Sequence, residues 1–586
     1  MQPRFGSVLR RLCRRTSVAA AALIAFALIA PRAHAQRPER LTDWTRPVFP
    51  AAEYAARGAA ALTALGPNDV LLVPSAEGTS GGETFRQLDD FEYLVGLEIP
   101  RAVLAIDGRT GRTMLFVPVT DQRFENRGRP NDFPGRELLS DPSLRSLSGV
   151  DTVVAFERFD AFLAELAARQ ARVLVNVGRQ GSVDGESSSP FAVLSPGETF
   201  LGHLRRTQPG LPLDNGYALI AGLRMVKSPA EVARLREAAR ITSRAIERGA
   251  ARVRPGIDER TLSGAFTADC QALGAQRDAF SPIIKAGRNS LWPWRILGAH
   301  YDRRNLALQP GELVIFDVGC ERDHYVSDVG RTFPVDTQFT ARQRELVEMV
   351  RRVSDAVIAA ARPGLTLAAL QAVANAAIPP AARRYMQAPL YFGHHLGLST
   401  ADPSLADAVL VPGMVFTIEP WYYDHDQNVA VFIEDELLIT ANGSENLTAD
   451  LPRDAAGLES LRKGIAVRSP PAALLGRFED DYGNSFRIST ELFEQLPRGR
   501  FHIVEWQVRE QYLIAHNDAA NPSDAGLWTR IDWMPLEGMP PYVWGFCMTA
   551  YRAATAADAR AMPSADRSVP RVGCSGHPFS RLKPLP

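Results

Sequence analysis

Four acidic residues lie inside otherwise apolar stretches of the chain, and this pattern restricts the possible folds more than any other feature of the sequence. They are Asp317, Asp328, Glu419 and Glu434, and the first two are eleven positions apart. A lone carboxylate in an apolar strand is costly unless it is paired or binds a metal ion. The pattern therefore predicts strands that carry these four carboxylates to one buried site.

The stretches around these acidic residues predict strand pairs. Residues 313–318 and 325–333 have the alternation and spacing of a hairpin, and residues 414–419 and 429–440 have those of another. Ser228 and Thr340 are each followed three residues later by Glu or Gln, which is the pattern of a capping box at a helix N-terminus. Helices that alternate with antiparallel strands indicate an α+β domain.

An imidazole completes the set of candidate ligands. His394 lies between the two strand pairs, in an apolar segment flanked by glycine. Carboxylate oxygens with one imidazole suit Mn²⁺, Zn²⁺ or Co²⁺, and two-metal hydrolases need carboxylates that bridge cations about 3.5–4 Å apart. Together with the four carboxylates, His394 predicts a dinuclear metal site in a metal-dependent hydrolase.

Residues 225–445 resemble the pita-bread metallopeptidases, and within them the Xaa-Pro aminopeptidases. The ligands of that family follow the order Asp, Asp, His, Glu, Glu, with eleven positions between the first two, as here. The segments that carry the resemblance are Asp328–Pro334, Thr417–Pro420 and Ile433–Asp435. Nearer the N-terminus, Phe85–Gly96 is similar to a patterned stretch in the N-terminal domain of aminopeptidases P.

The resemblance implies an α+β pita-bread catalytic domain over residues 223–455. An α/β N-terminal domain of the aminopeptidase P type is expected over residues 36–222, where 69–73 and 102–106 have the character of buried strands. Residues 465–586 contain short aromatic segments that predict a small, mostly β appendage of unknown role. Four of the eight tryptophans fall in it, and we expect them to form its core, with a ligand-binding face as the alternative.

The resemblance also implies a role for each ligand. Asp328 and Glu434 would bridge two metal ions. Asp317 would bind one of these ions alone, while His394 and Glu419 would complete the coordination of the other. The family favours manganese for both ions, with zinc or cobalt as alternatives that the sequence does not separate.

Catalytic roles follow from the same resemblance. Glu419 would be the general base for the attacking water, and His300 matches a family histidine that donates a hydrogen bond to the tetrahedral intermediate. The alternative for His300 is a structural loop histidine. The chain departs from the family at Leu390, Ala401 and Phe432, which stand where the family has histidine, histidine and arginine. These departures affect expected substrate contacts and leave the metal ligands intact.

The N-terminus has the layout of a secretory signal peptide. Arginines at positions 10, 11, 14 and 15 precede an apolar run of 13 residues over 18–30, which is shorter than the ~20 residues of a membrane-spanning helix. Ala33-His34-Ala35 predicts cleavage after Ala35. We therefore expect a signal peptide over residues 1–35 and a periplasmic or secreted chain without stable membrane insertion. An uncleaved anchor is the alternative, and the arginine pair leaves the Sec and twin-arginine routes open.

Composition narrows the expected partners. Removal of residues 1–35 takes away six arginines and no acidic residue, which leaves 60 basic against 66 acidic residues. This balance, without a basic patch, argues against nucleic acid as a partner. Peptides are the expected substrates, and self-association into a homo-oligomer stays open.

Of the five cysteines, Cys547 and Cys574 lie close together in the sequence and predict a disulfide in an oxidising compartment, with free thiols as the alternative.

The resemblance thus implies an exported dinuclear-metal aminopeptidase that hydrolyses the bond between an N-terminal residue and a following proline. A prolidase-like dipeptidase, or another metal-dependent amide or ester hydrolase, is the nearest alternative. A non-catalytic binding protein on a peptidase scaffold is the second alternative, because several expected substrate-contacting residues are replaced.

Overall fold

The computed structural model describes residues 46–585 apart from 79–83, 122–135, 182, 184–190, 192, 292–304, 387–392, 464–471 and the single positions 491, 498, 509, 537, 568, 570, 571 and 575. The predicted signal peptide, His300 and Leu390 lie outside the described residues. The chain divides into two compact units, Met1–Ile220 and Ala221–Pro586.

The N-terminal unit is built around a mixed sheet. Its strands are β1 (Asp69–Pro74), β2 (Val103–Asp107), β3 (Arg112–Val117), β4 (Thr152–Ala155), β5 (Arg172–Val175) and β6 (Leu213–Asn215). Its helices are α1 (Ala51–Ala64), α2 (Asp89–Val95), α3 (Ser143–Ser148), α4 (Phe159–Ala168) and α5 (Pro196–Thr207). The strand order is β4-β3-β2-β1-β5-β6, with β1 antiparallel to β2 and parallel to β5. The predicted buried strands at 69–73 and 102–106 are confirmed as β1 and β2.

The second unit begins with long helices and short strands. Its helices are α6 (Tyr217–Met225, which contains the division between the units), α7 (Pro229–Arg252), α8 (Glu259–Ala272), α9 (Ala341–Ala360), α10 (Leu367–Ala377) and α11 (Ala455–Arg462). Both predicted capping boxes are present, at Ser228 before α7 and at Thr340 before α9. The apolar faces of these helices bury Ile241 and Val350 in one core with Phe316 and Phe416 of the strands.

The strands of this region form small antiparallel sheets. They are β7 (Arg277–Asp278), β8 (Ile283–Ala286), β9 (Leu313–Val318), β10 (Cys320–Arg322), β11 (Tyr325–Val326), β12 (Val329–Pro334), β13 (Val415–Ile418), β14 (Trp421–Asp424), β15 (Val429–Phe432), β16 (Asp435–Ile439) and β17 (Ser444–Asn446). β12 pairs with β9 and β9 with β8, while β13 pairs with β16 and β14 with β15.

The two predicted hairpins differ from the observed ones in the same way. Each second strand is broken, at Ser327-Asp328 between β11 and β12 and at Ile433-Glu434 between β15 and β16. Asp328 therefore precedes its strand instead of lying within it. The reason is a contact with a distant segment: Asp328 donates its backbone N–H to the carboxylate of Glu436, 3.0 Å away, instead of to a neighbouring strand.

The C-terminal part of the second unit is a closed antiparallel barrel. Its strands are β18 (Gly476–Asp480), β19 (Ser485–Ile488), β20 (Leu492–Leu496), β21 (Gly499–Gln507), β22 (Tyr512–Asn517), β23 (Trp528–Pro535), β24 (Trp544–Ala553) and β25 (Phe579–Pro584), with the short helix α12 (Ala556–Ala561) before β25. Trp506, Trp533 and Trp544 are buried in its core with Phe486 and Phe546. The predicted mostly β appendage is thus confirmed.

Disulfides join Cys547 to Cys574 in the barrel and Cys270 to Cys320 between α8 and β10. The sequence predicted the pair Cys547–Cys574 and no partner for Cys270 or Cys320, which are 50 residues apart.

Among the described residues, no helix combines the length and apolar character needed to cross a membrane.

Candidate metal centre

Backbone pairing around Gly330 brings three of the predicted ligands together. In the β9–β12 pair, Gly330 lies opposite Asp317. On its other side, Gly330 donates its N–H to the carbonyl of Glu434 at 3.3 Å and accepts the N–H of Glu434 at 2.9 Å. Asp328 is two positions before Gly330 and directly precedes β12. The carboxylates of Asp317, Asp328 and Glu434 are therefore carried by three adjacent backbone segments.

His394 and Glu419 reach the same place from another segment. Thr417, at the end of β13, donates its N–H to the carbonyl of His394 at 2.8 Å, and its hydroxyl accepts the N–H of His394 at 3.2 Å. This pairing places the His394 Nε2 3.3 Å from Glu419 Oε1 and 3.5 Å from Asp328 Oδ2. All five ligands predicted from the sequence therefore belong to one region of the second unit.

The imidazole is oriented for coordination through Nε2. Its Nδ1 lies 3.3 Å from the carbonyl oxygen of His395, a contact that is favourable when Nδ1 carries the proton. Burial lowers the pKa of His394, which favours the neutral ring. The Nε2 lone pair then faces the carboxylates.

The carboxylates are buried and repel one another. Glu434 is 1% exposed and Asp317, Asp328 and Glu419 are also buried. Burial, and then the charge of Asp317, raises the pKa of Glu419 to about 8. Burial together with the neighbouring carboxylates also raises the pKa of Asp328 and Glu434 far above their ordinary values. Such a cluster costs free energy when it is ionised without a compensating positive charge.

The donor set fits divalent metal ions. Ligand atoms of Asp328, His394 and Glu434 all lie within 4.8 Å of one another. Asp328 Oδ1 and Glu434 Oε2 are buried and accept no hydrogen bond from the described residues. Among the described residues, no Lys or Arg side chain forms an ion pair with Asp328, Glu419 or Glu434. Hard oxygen atoms grouped with one imidazole nitrogen are the ligands of Mn²⁺, Zn²⁺ or Co²⁺.

Arg331, the nearest arginine in sequence to the cluster, does not neutralise it. Its guanidinium donates to the carboxylate of Asp435 at 2.7 Å and to the carbonyls of Leu451 and Pro452 at 3.1 and 2.9 Å. This fully buried side chain ties β12 to the segment after β17. Its ion-pair partner is Asp435, which is not one of the predicted metal ligands.

Glu436, which supports Asp328, was not identified from the sequence. Glu436 is buried, and its Oε1 accepts the hydroxyl of Ser327 at 2.5 Å and the N–H of Asp328 at 3.0 Å. Burial raises the pKa of Glu436 to about 8. The available signal was another acidic residue two positions after Glu434 in an apolar strand, the same feature that identified the ligands.

The positions that depart from the family pattern have different environments. Phe432 is fully buried and its ring stacks on Trp421 with 3.5 Å between ring centroids. Ala401 is exposed. Position 432, where the family pattern has a cation, therefore holds an aromatic ring packed on Trp421.

Comparison with known proteins agrees with this architecture. A family model described as metallopeptidase family M24 matches residues 233–441, and one described as the aminopeptidase P N-terminal domain matches residues 54–175. Xaa-Pro aminopeptidase 3 of Rattus norvegicus is 30% identical over 417 residues, which cover 64% of this chain and 77% of the relative. Xaa-Pro aminopeptidase of Escherichia coli K12 is 29% identical over 413 residues, or 64% of this chain and 89% of the relative.

Solved structures show the same fold. Proline aminopeptidase P II from Yersinia pestis superposes with a TM-score of 0.58 at 25% identity, covering 71% of this chain and 99% of that one. Escherichia coli aminopeptidase P with the inhibitor Pro-Leu gives a TM-score of 0.58 at 24% identity, covering 71% and 98%. The predicted pita-bread fold with an aminopeptidase P-type N-terminal domain is confirmed, and the barrel lies beyond the residues that the family models match.

Proposed function

Because this chain belongs to metallopeptidase family M24 and is an aminopeptidase P-like metallopeptidase, we propose that it is an exported Xaa-Pro aminopeptidase with two divalent metal ions. It would hydrolyse the bond between an N-terminal residue and a following proline. The observation that supports this most directly is the grouping of the ligand atoms of Asp328, His394 and Glu434 within 4.8 Å of one another, with Glu419 Oε1 3.3 Å from the His394 Nε2.

The five converging side chains would hold the metal ions. Asp328 and Glu434 would bridge them, since each has a buried oxygen atom without a hydrogen-bond donor among the described residues. Asp317 would bind one ion, and His394 and Glu419 would bind the other. When bound, the ions supply Lewis-acid polarisation of the scissile carbonyl and lower the pKa of the attacking water. Manganese is our first expectation, with zinc or cobalt as alternatives.

Glu419 would act as the general base. Its Oε1 accepts the Thr417 hydroxyl and its Oε2 accepts the Trp421 indole N–H, each at 3.4 Å. These donors fix the plane of the carboxylate while leaving lone pairs to accept a proton from water. His300 would donate a hydrogen bond to the tetrahedral intermediate from the segment 292–304, which lies outside the described residues.

Export to the periplasm or the cell exterior is part of the proposal. The predicted cleavage after Ala35 would remove Cys13, and the remaining cysteines form the pairs Cys270–Cys320 and Cys547–Cys574. Structural disulfides persist in oxidising compartments and are rare in the cytosol of mesophiles. The pairing of every cysteine of the mature chain therefore supports an exported enzyme.

A peptide series tests the activity. The mature chain, residues 36–586, is stripped of metal, reloaded with Mn²⁺, Zn²⁺ or Co²⁺, and incubated with Ala-Pro-Ala-Ala, Ala-Ala-Ala-Ala and the dipeptide Ala-Pro. We expect metal-dependent release of the first alanine from Ala-Pro-Ala-Ala alone. Cleavage restricted to Ala-Pro would identify a dipeptidase instead, and metal binding without turnover of any peptide would identify a binding protein.

Matched variants complete the test. Glu419→Gln removes the proposed base with little change in volume and should abolish turnover. Glu445→Gln changes a partly exposed glutamate that pairs with Arg236 outside the site, and it should leave turnover unchanged. Full activity of the Glu419→Gln variant would overturn the proposed role of that residue.

A further inference from the structure

An aromatic stack lies against the metal site and has no counterpart among the features predicted from the sequence. Trp421 is held between Phe432, with ring centroids 3.5 Å apart, and Tyr423, with centroids 5.3 Å apart and rings inclined by 11°. Trp421 is 1% exposed and Phe432 is fully buried. We refer to Tyr423, Trp421 and Phe432 as the aromatic stack.

The stack is attached to the strand segments that carry the carboxylates. Phe432 and Trp421 form a buried cluster with Ile315, and the ring of Phe432 lies against the backbone of Gly330. Each of these residues is two positions from a predicted ligand, in the pairs Ile315 and Asp317, Gly330 and Asp328, Trp421 and Glu419, Phe432 and Glu434. The stack therefore contacts all four carboxylate-bearing segments at once.

Trp421 also makes a polar contact with the site. Its indole Nε1 donates to Glu419 Oε2 at 3.4 Å, on the side of the carboxylate opposite to the Thr417 hydroxyl, which donates to Oε1. An indole N–H can only donate, and the stack prevents the ring from turning away. A carboxylate held at both oxygens has its plane fixed before a metal ion or a substrate arrives.

We propose that Trp421 is a positioning residue, which acts through Glu419 and is held in place by Phe432 and Tyr423. The inference rests on the proposed function, because it concerns the residue to which we assign general-base chemistry. Residues that hydrogen-bond to metal ligands orient them, and their loss typically costs about 10–100-fold in metal affinity or activity. Phe432, which stacks on Trp421 here, stands where the family pattern has an arginine.

The kinetic test uses Trp421→Phe, which keeps an aromatic ring in the stack but removes the N–H donor together with part of the ring volume. We expect kcat for Ala-Pro-Ala-Ala to fall about tenfold, with KM and the number of bound metal ions unchanged. The matched control is Trp533→Phe in the barrel, where the indole N–H is buried and has no hydrogen-bond acceptor among the described residues. This control should leave kcat, KM and metal content as in the unaltered chain.

A spectroscopic test does not depend on activity. In the ¹H–¹⁵N spectrum of the mature chain, the Trp421 indole signal is assigned by its absence from Trp421→Phe. We expect this signal to shift when Mg²⁺ or Zn²⁺ is added to the metal-free chain, because Glu419 changes its charge state and partner, while the Trp533 signal stays in place. Phe432→Leu, which loosens the stack, should broaden or move the Trp421 signal before metal is added.

The outcomes separate this inference from the proposed function. An unaltered chain that cleaves no peptide but shows the metal-dependent Trp421 shift would overturn the function and support the contact. Normal kcat in Trp421→Phe, or a Trp421 signal that does not respond to metal, would overturn the positioning role. If Trp421→Phe does not fold, single Trp→Phe variants of the other seven tryptophans assign the Trp421 signal by elimination. The metal response of the unaltered chain and the Phe432→Leu spectrum then decide the question.

Discussion

Gly330 and Glu434 lie opposite each other and exchange backbone hydrogen bonds of 3.3 and 2.9 Å. This bridge joins β12, two positions after Asp328, to the break between β15 and β16 that holds Glu434. A side chain at position 330 cannot fit, because a Cβ atom there would lie 2.0 Å from Cε1 of Phe432. The absence of a side chain at Gly330 is therefore a requirement of the metal site.

Gly330→Ala should destabilise the chain and weaken metal binding. Phe432 has little room to move aside, because it is fully buried and stacked on Trp421. Overpacking of this kind costs about 1–3 kcal/mol, and chemical denaturation of the metal-free chain measures it. The matched control is Gly264→Ala in α8, where a Cβ meets nothing within 4 Å; it should be neutral or stabilising. Equal stability of the two variants would contradict the packing argument.

Metal removal should make stability depend on pH. The pKa of Glu419 is raised from 4.5 to about 8 in the metal-free fold. Its contribution to stability is therefore complete below about pH 4.5 and is lost as the pH rises through about 8. Between these two pKa values the free energy of unfolding falls by ~1.4 kcal/mol for each increase of one in pH. The pKa values of Asp328 and Glu434 are also raised, so their contributions to stability are likewise lost as the pH rises.

Thermal unfolding at pH 5.5 and pH 8, with EDTA or with Mn²⁺, measures this effect. We expect the increase in Tm caused by the metal ion to be larger at pH 8, because the ions remove the repulsion among ionised carboxylates. Glu436 also has a pKa raised to about 8 but is not a predicted ligand, so Glu436→Gln separates its contribution. An identical metal-induced increase at both pH values would contradict the prediction.

Local signals in the sequence identified the fold and family correctly. The capping boxes at Ser228 and Thr340 depend on residues three positions apart, and both are present. The order and spacing of the acidic residues identified metallopeptidase family M24 without any geometric information. The assignment of Asp317, Asp328, His394, Glu419 and Glu434 as metal ligands stays a prediction, although their side chains converge.

Features that depend on contacts between distant segments could not be derived from the sequence. The break at Asp328 requires the carboxylate of Glu436, which is 108 positions away. The bond between Cys270 and Cys320 requires α8 to pack against β10. The stacking of Trp421 on Phe432 requires the register of β14 with β15. In each case the partner is set by tertiary packing, which leaves no periodic pattern in the sequence.

The disulfides should contribute measurably to stability. They close segments of 50 and 27 residues, for which the chain-entropy relation gives about 4 and about 3.5 kcal/mol. The double variants Cys270→Ser with Cys320→Ser, and Cys547→Ser with Cys574→Ser, measure each contribution by denaturation. We also expect no reactive thiol in the native mature chain, and four after unfolding and reduction. Thiols that react in the native chain would contradict the pairing.

Asp328→Asn should separate the stability of the chain from its metal binding. The variant replaces the buried carboxyl group by a neutral amide and keeps the size of the side chain. The metal-free variant should therefore unfold at a higher temperature than the metal-free unaltered chain, because an amide avoids the cost of burying a carboxylate and the repulsion from Asp317 and Glu419.

When metal ions are present, the unaltered chain should instead unfold at the higher temperature. An amide replaces the carboxylate that we expect to bridge the ions, so the variant should gain little stability from Mn²⁺ and lose at least about 10²-fold in turnover. The matched control is Asp160→Asn, at an exposed position of α4. It should change neither the stability gained from Mn²⁺ nor the turnover. A metal-free Asp328→Asn variant that is less stable than the unaltered chain would show that Asp328 stabilises the fold through its charge. That result would contradict the expectation that the carboxylate cluster destabilises the fold until metal ions bind.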